Sequence, residues 1–337
     1  MTKIVVILVM AHGIMGWGGH QAETSQNQMR VYYNGVQPFL ADYVSKAHPD
    51  VELVMIAPTV PQADTVANRG RALQQAIAAE LNNWPAGTRV HLLAHSMGGL
   101  DSRWVLAQDG MADNIASLTT IATPHRGTSL GNLAYDELPI LLPVGTFLEQ
   151  MYRIRRTIWR LLPFTQVADP DLLGYFNHML LGFGSTPEQL YGGIHALTLE
   201  GAETFNRELA EKERAIRERT TKPVQYFAYG GRPVGAQVLL LRPTQAFIEA
   251  WGTEQEKHWK DPKEQLAGND GAVSVWSSHY PWDDDGRNYV RTIPFDHFWQ
   301  VNWRIPDEIP SRKDMGNELK QVYREIIDRI LQVQQAP

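Results

Sequence analysis

The chain contains no cysteine, which excludes disulfide frameworks, thiolate zinc sites, iron–sulfur clusters and cysteine nucleophiles together. It also lacks an apolar run long enough to span a bilayer. The stretch Ile4 to Met10 is too short, and it leads into His12-Gly13 without the small-residue cleavage site of a secretion signal. A cytoplasmic location is therefore the expectation. A basic excess is missing too: the net charge is −6 over 337 residues, which argues against a nucleic-acid partner, since such affinity comes chiefly from phosphate neutralisation. Internal repeats, low-complexity tracts and Gly/Ser-rich or Pro-rich linkers are absent. Residues 1–337 are accordingly read as one domain, with 43% apolar and 20% charged residues, the balance of an ordinary globular protein.

What the chain does have is a rhythm. Short β-branched apolar runs recur at Lys3–Ala11, Val51–Ala57, Arg89–Ala94, Ser117–Ala122, Val224–Tyr229 and Tyr289–Ile293, and they read as strands buried on both faces. Leu73, Ala76, Ile77, Leu81 and Trp84 fall at helical spacing, a further helix is expected just past Ser96 with Leu100, Trp104 and Val105 inward, and Leu319 to Leu331 form an amphipathic helix of about five turns. Strands alternating with helices imply an α/β fold with a mostly parallel sheet covered on both sides. Two stretches interrupt the alternation. Residues 129–200 carry apolar helical material broken by prolines, with Arg153, Arg155, Arg156 and Arg160 interleaved, and read as a helical insertion. Residues 230–268 read as a second, irregular one.

The strongest local signal is Val90-His91-Leu92-Leu93-Ala94-His95-Ser96-Met97-Gly98-Gly99, an apolar strand ending in a serine between small residues and followed by a helix. A sharp strand-to-helix turn strains the serine backbone and crowds both neighbours, which demands the small residues at 94 and 98. Ser96 is thus the candidate nucleophile. A hydroxyl needs a base and an orienting carboxylate, expected in the order serine, acid, histidine. Of the histidines after Ser96, His297 is best placed, in a short loop just beyond the strand Tyr289–Ile293, where open α/β sheets build their sites. His125, His178, His195, His258 and His279 are the others. For the acid, Asp270 sits on an Asn-Asp-Gly turn between the fifth and sixth strands, although Asp-Gly is also simply good turn chemistry. Asp283, Asp284 and Asp285 compete but read as a solvated loop, and Asp296, adjacent to His297, would point elsewhere.

The loop Ala11-His12-Gly13-Ile14-Met15-Gly16-Trp17-Gly18-Gly19 can supply half of an oxyanion hole: the N–H of Ile14 beside that of Met97 at the helix start. Its glycine spacing fits neither a dinucleotide fingerprint nor a P-loop. No His-Glu-x-x-His occurs, and Asp307, Glu308 and Asp314 lack the pattern of a calcium loop.

With these residues in hand, the chain resembles α/β-hydrolases of the bacterial triacylglycerol lipase type. The resemblance rests on His12 to Gly18, Ala94 to Gly99, Thr120-Ile121-Ala122-Thr123-Pro124-His125-Arg126-Gly127-Thr128, Asn269-Asp270-Gly271 and Asp296-His297-Phe298, and so covers most of the chain. It implies an α/β-hydrolase fold with a helical lid or cap, Ser96 as nucleophile, Asp270 as acid, His297 as base, and Ile14 and Met97 as backbone donors. It further implies that the threonine–proline–histidine segment shapes the site without joining the triad. Within that type the chain is similar to the thermoalkalophilic lipases, which share the look of Leu197 to Asn206. Their zinc-binding insertion is missing, since only one helix fits between Ala57 and Arg89, so no zinc is expected. Trp299 stands where many such lipases place an acidic calcium ligand. The expectation is an ester hydrolase without a cofactor.

The apolar helices expected over 129–200 point to apolar acyl esters, with the arginine-bearing face able to settle on a lipid surface. An acyltransferase or phospholipase using the same three residues, and a non-catalytic binding protein with the same fold, are the alternatives. All of the functional elements being present argues against the last.

Overall fold

A computed structural model describes residues 3–14, 16, 32–141, 186–234, 241–302 and 315–335. In chain order the elements are β1 (Ile4–Ala11), α1 (Val36–Ala47), β2 (Val51–Ile56), α2 (Val66–Leu81), β3 (Val90–His95), α3 (Met97–Leu106), α4 (Met111–Asn114), β4 (Ile115–Ile121), α5 (Ser129–Leu141), α6 (Pro187–His195), α7 (Leu199–Arg217), β5 (Gln225–Gly231), α8 (Arg242–Trp251), α9 (Glu254–His258), α10 (Val275–Ser278), β6 (Tyr289–Ile293) and α11 (Asn317–Gln335). The six strands form one sheet in the order β2-β1-β3-β4-β5-β6, every pair parallel.

Strand periodicity divides the core into two layers. Val6, Leu8 and Met10 of β1 enter one layer with Val36, Leu40 and Val44 of α1 and Leu319 to Leu331 of α11. Ile7, Val9 and Ala11 enter the other with Leu73 and Ile77 of α2 and Val105 and Leu106 of α3. Central strands covered on both sides need apolar residues at every position, which is why β3 and β4 are buried throughout. The edge strands β2 and β6 are only half-buried along most of their length, a departure from the two-face burial expected of all six.

The chain leaves β1 for β2 on one side and returns to β3 on the other. This reversal opens a crevice at the carboxyl ends of β1 and β3, the place where open α/β sheets bind ligands. Trp84 lies beyond the end of α2, and the stretch read as an irregular excursion over 230–268 contains α8 and α9. Helices α1, α4, α7 and α10 fall outside the elements expected from the sequence. The prolines and arginines at 143–170, the stretch Phe147 to Trp159, His178, Met15, Trp17 to Gly19, Val238 to Leu240, and Asp307, Glu308 and Asp314 lie outside the described residues.

Helices α5 and α6 sit close to the crevice, where Ile14 packs with them. A capping box closes α6, Thr186 Oγ accepting from the Gln189 N–H while Gln189 returns a bond to the Thr186 N–H. Gln189 Nε2 also donates to Asp64 on the loop after β2 (3.0 Å).

Candidate active site

Ser96 leaves β3 with φ 55° and ψ −132°, a backbone conformation that L-residues avoid at a cost of about 1–3 kcal/mol. Two backbone bonds hold it there: the Ser96 N–H donates to Ile121 O, and the Gly99 N–H donates to Ser96 O, both at 3.0 Å. The strain has a steric consequence next door. A Cβ at residue 98 would stand 2.5 Å from Ala11 O and 2.8 Å from His12 O, so only glycine lets α3 start this close to the end of β1.

Ser96 Oγ lies 2.9 Å from His297 Nε2. His297 Nδ1 lies 2.9 Å from Asp270 Oδ2. A neutral imidazole makes both links with Nδ1–H donating to the carboxylate and Nε2 accepting from the hydroxyl, the tautomer a general base requires. The residues come from loops after β3, β5 and β6, and all three are buried, Asp270 completely. The carboxylate is fixed independently of the imidazole, because Oδ1 accepts from the Ala272 N–H (3.0 Å) and the Val273 N–H (2.7 Å). The His297 N–H donates to Asp270 O at 3.0 Å, so the two loops are also joined through their backbones.

Across the crevice, the Gly16 N–H donates to Gly13 O (3.2 Å), closing a turn that contains Ile14. Met97 is the first residue of α3, whose leading N–H groups have no acceptor within the helix. The Ile14 and Met97 side chains pack in one cluster with Val66, Leu100 and Leu197. Ile14 also packs with Ala134, Tyr135, Leu190, Tyr191 and Ile194 of α5 and α6.

His12 braces this loop from below. Its Nδ1–H donates to Gly13 O (2.9 Å) and its Nε2 accepts from the Val60 N–H (3.2 Å). Burial, with the nearby Arg69 charge, lowers its pKa to about 3, so the ring stays neutral and can do both. The buried Arg69 donates to His12 O (2.9 Å) and pairs with the buried Asp101 (2.8 Å). Burial raises the Asp101 carboxyl to about 6 against the pull of that guanidinium.

The remaining candidates sit elsewhere. His125 is buried against Tyr280 (ring centroids 4.4 Å), with Thr120 Oγ1 3.2 Å from its Nε2, and burial beside Arg103 and Arg126 keeps its pKa well below the ordinary value. Arg103 makes a two-point bridge to Glu213 (2.7 and 2.9 Å), tying α3 to α7. His279 faces Asp261, and His195 is on α6 near Tyr135. Asp283 departs from the solvated loop expected of it: it is buried and accepts from the Asn288 N–H and Nδ2, whereas Asp284 and Asp285 are exposed. Asp296 turns onto its own loop, accepting from the Phe298 and Trp299 N–H groups (3.1 and 2.9 Å). Tyr32, Gln300, Arg69 and Asp101 were not singled out from the sequence. Their contacts are made across the fold, and no local spacing encodes them. Among the described residues no cluster of three or more His, Asp or Glu is arranged to hold a metal, and no helix is long and apolar enough to cross a membrane.

Comparison with known proteins agrees with this architecture. Residues 59–138 match the model of the PGAP1-like alpha/beta domain. A lipase of Staphylococcus epidermidis is 22% identical over 302 residues, covering 75% of this chain and 40% of the relative; the chain thus spans about two fifths of the length of the curated relatives it matches. The crystal structure of Staphylococcus hyicus lipase superposes with a TM-score of 0.59 at 17% identity, covering 98% of this chain and 96% of the other. A metagenomic carboxyl esterase superposes with a TM-score of 0.58 at 13% identity, covering 98% and 77%. The chain has the α/β-hydrolase fold.

Proposed function

We propose that the chain is a carboxylic ester hydrolase acting through an acyl-enzyme on Ser96. The observation that carries this reading is the continuous hydrogen-bonded relay from Asp270 through His297 to a strained serine at the end of β3. Ser96 Oγ attacks the acyl carbon while His297 Nε2 takes its proton, and the Ile14 and Met97 N–H groups receive the charge that develops on the acyl oxygen. The ester C–O bond then breaks, the proton passing from His297 to the leaving alkoxide. A water molecule, deprotonated by the same nitrogen, attacks the acyl-serine; the acyl–Oγ bond breaks, the acid leaves, and the proton returns from His297 to Ser96 Oγ. Asp270 stabilises the imidazolium at each stage without accepting its proton. The reaction as drawn uses no metal or cofactor.

The apolar wall formed by Ala134, Tyr135, Leu190, Tyr191 and Ile194 beside Ile14 supports an apolar acyl group as substrate. Transfer of apolar surface out of water contributes about 0.8 kcal/mol per buried methylene. With a series of p-nitrophenyl esters, kcat/KM is therefore expected to rise about fourfold per methylene over the first few carbons, and Ser96→Ala to abolish turnover of every member. A series in which acetate is the preferred substrate contradicts the acyl assignment; turnover retained by Ser96→Ala contradicts the mechanism.

A further inference from the structure

Three residues beyond His297, Gln300 is completely buried in the short 3-10 turn Trp299–Val301. Its backbone is held at both ends: the N–H donates to Asp296 O (3.2 Å) and the carbonyl accepts from Tyr323 OH (2.8 Å). Its side-chain nitrogen lies 2.8 Å from Asp270 Oδ2 and 3.3 Å from Phe295 O. Both partners accept only, which orients the amide and turns Oε1 toward His95 Nε2 (3.2 Å). That nitrogen must therefore carry the imidazole proton. Nδ1 of His95 is left to accept from Tyr32 OH (2.7 Å), and the Tyr32 oxygen in turn takes a hydrogen bond from the Gly13 backbone.

An unbroken series of hydrogen bonds thus runs from the Asp270 carboxylate to the loop that presents Ile14, passing through the residue immediately before Ser96. The His95 ring also lies 4.5 Å from that of His297. Strand β5 accommodates the arrangement: a Cβ at residue 231 would fall 1.9 Å from Gln300 Nε2 and 2.8 Å from Asp270 Cβ, so Gly231 leaves the space the amide fills.

We propose that Gln300 is a positioning residue that, through His95 and Tyr32, sets the Asp270 carboxylate and the Gly13-Ile14 loop as one unit. Oδ2 is the oxygen that receives the His297 proton donor, and Gln300 is the second donor to that atom. Without it, the imidazole is the one remaining hydrogen-bond donor to Oδ2 among the described residues, and the rotation of the carboxylate is set from the Oδ1 side alone. A fully satisfied buried network of this kind loses its rigidity as a whole when one member is removed. The inference rests on the reading of Ser96, His297 and Asp270 given above.

The test uses Gln300→Met, which keeps the volume, and Tyr32→Phe, which keeps the ring packed on His12 and Tyr33 and removes one oxygen. Loss of a hydrogen bond to a charged group predicts a kcat for Gln300→Met lower by about tenfold or more, with KM for a short dissolved ester within about twofold. The low-field proton NMR resonance of His297 Nδ1–H is expected to shift in the same variant. Tyr32→Phe lowers kcat by a few-fold, and the double variant is no slower than Gln300→Met alone, since members of one network do not contribute independently. An unchanged kcat and an unchanged resonance in Gln300→Met, or losses that multiply in the double variant, overturn the proposal. Fluorophosphonate labelling of the wild type separates the levels. A labelled Ser96 with an indifferent Gln300 removes the positioning role alone, whereas an unlabelled Ser96 removes the mechanism beneath it.

Discussion

Two histidine–aspartate pairs are buried beside β5 and β6, His297–Asp270 beyond their carboxyl ends and His279–Asp261 against Tyr289 at the start of β6. His297 and Asp270 stand 2.9 Å apart; His279 and Asp261 stand 3.4 Å apart, and both members of that second pair are almost wholly shielded from water. Burial of acid and imidazole does not distinguish them, though only the first pair is hydrogen-bonded. The other side of each ring does. His297 presents Nε2 to Ser96, whereas His279 is stacked on Tyr289 (ring centroids 3.6 Å, 14° between planes) and meets Trp259 edge-on. Asp261 spends its Oδ1 on the Lys263 and Glu264 N–H groups, which shapes a turn. An acid–imidazole pair becomes a candidate for chemistry only where a hydroxyl and backbone donors converge on it. Elsewhere it is packing.

Each difference between the pairs can be pushed until it breaks. The largest effect is expected from Ser96→Ala, which leaves His297–Asp270 with nothing to activate: kcat for ester hydrolysis falls by about 10⁶, as for loss of any nucleophile in such a relay. Asp270→Asn, which presents the wrong group to the imidazole proton, lowers kcat by about 10⁴ while the far-ultraviolet circular dichroism stays that of the wild type. Asp261→Asn reverses the pattern: it leaves kcat within about threefold and lowers the free energy of unfolding by about 1–3 kcal/mol, the cost of weakening a buried polar contact, read from urea melts. If Asp261→Asn silenced the enzyme as Asp270→Asn does, the division between the pairs would fail.

A pH series extends the comparison to the other buried imidazoles. Burial lowers the pKa of His12 to about 3 and of His91 to about 4, and holds His95 and His125 well below the ordinary 6.5. The unfolded chain takes up protons below 6.5 that the folded chain refuses. Stability is therefore full above pH 6.5 and lost as pH falls toward 4, at about 1.4 kcal/mol per pH unit for each such histidine. Asp101, raised by burial to about 6, acts with the opposite sign between 6 and its ordinary value and offsets one of the four. The thermal midpoint is expected to drop by about 10 °C between pH 7 and pH 5, and a flat profile would show these rings to be protonated in the folded state.

The sheet was legible in the sequence because parallel strands covered on both sides must be apolar at nearly every position, as β1, β3 and β4 are. Ser96, Asp270 and His297 were legible for another reason: each lies at a strand end or tight turn, in the chain order such sites follow. Helix α1 carries the helical period in Val36, Phe39, Leu40, Tyr43 and Val44, but Pro38 inside that stretch reads as a break, although a proline in the first turn is tolerated. Helix α7 is polar on most of its surface and buries Glu213 against Arg103, a partnership across more than a hundred residues. The Gln300–Asp270 and Tyr32–His95 contacts likewise exist only once β1, β3, β5 and β6 are assembled, so no spacing announces them.

Of all the hydroxyls in the chain, the buried one of Ser96 is the proposed nucleophile. Incubation with a fluorophosphonate, followed by peptide mass spectrometry, reads it directly. A single adduct on Ser96 is expected, absent in Ser96→Ala and strongly slowed in Asp270→Asn. An adduct on another serine, or none under conditions where the protein is folded, would contradict it.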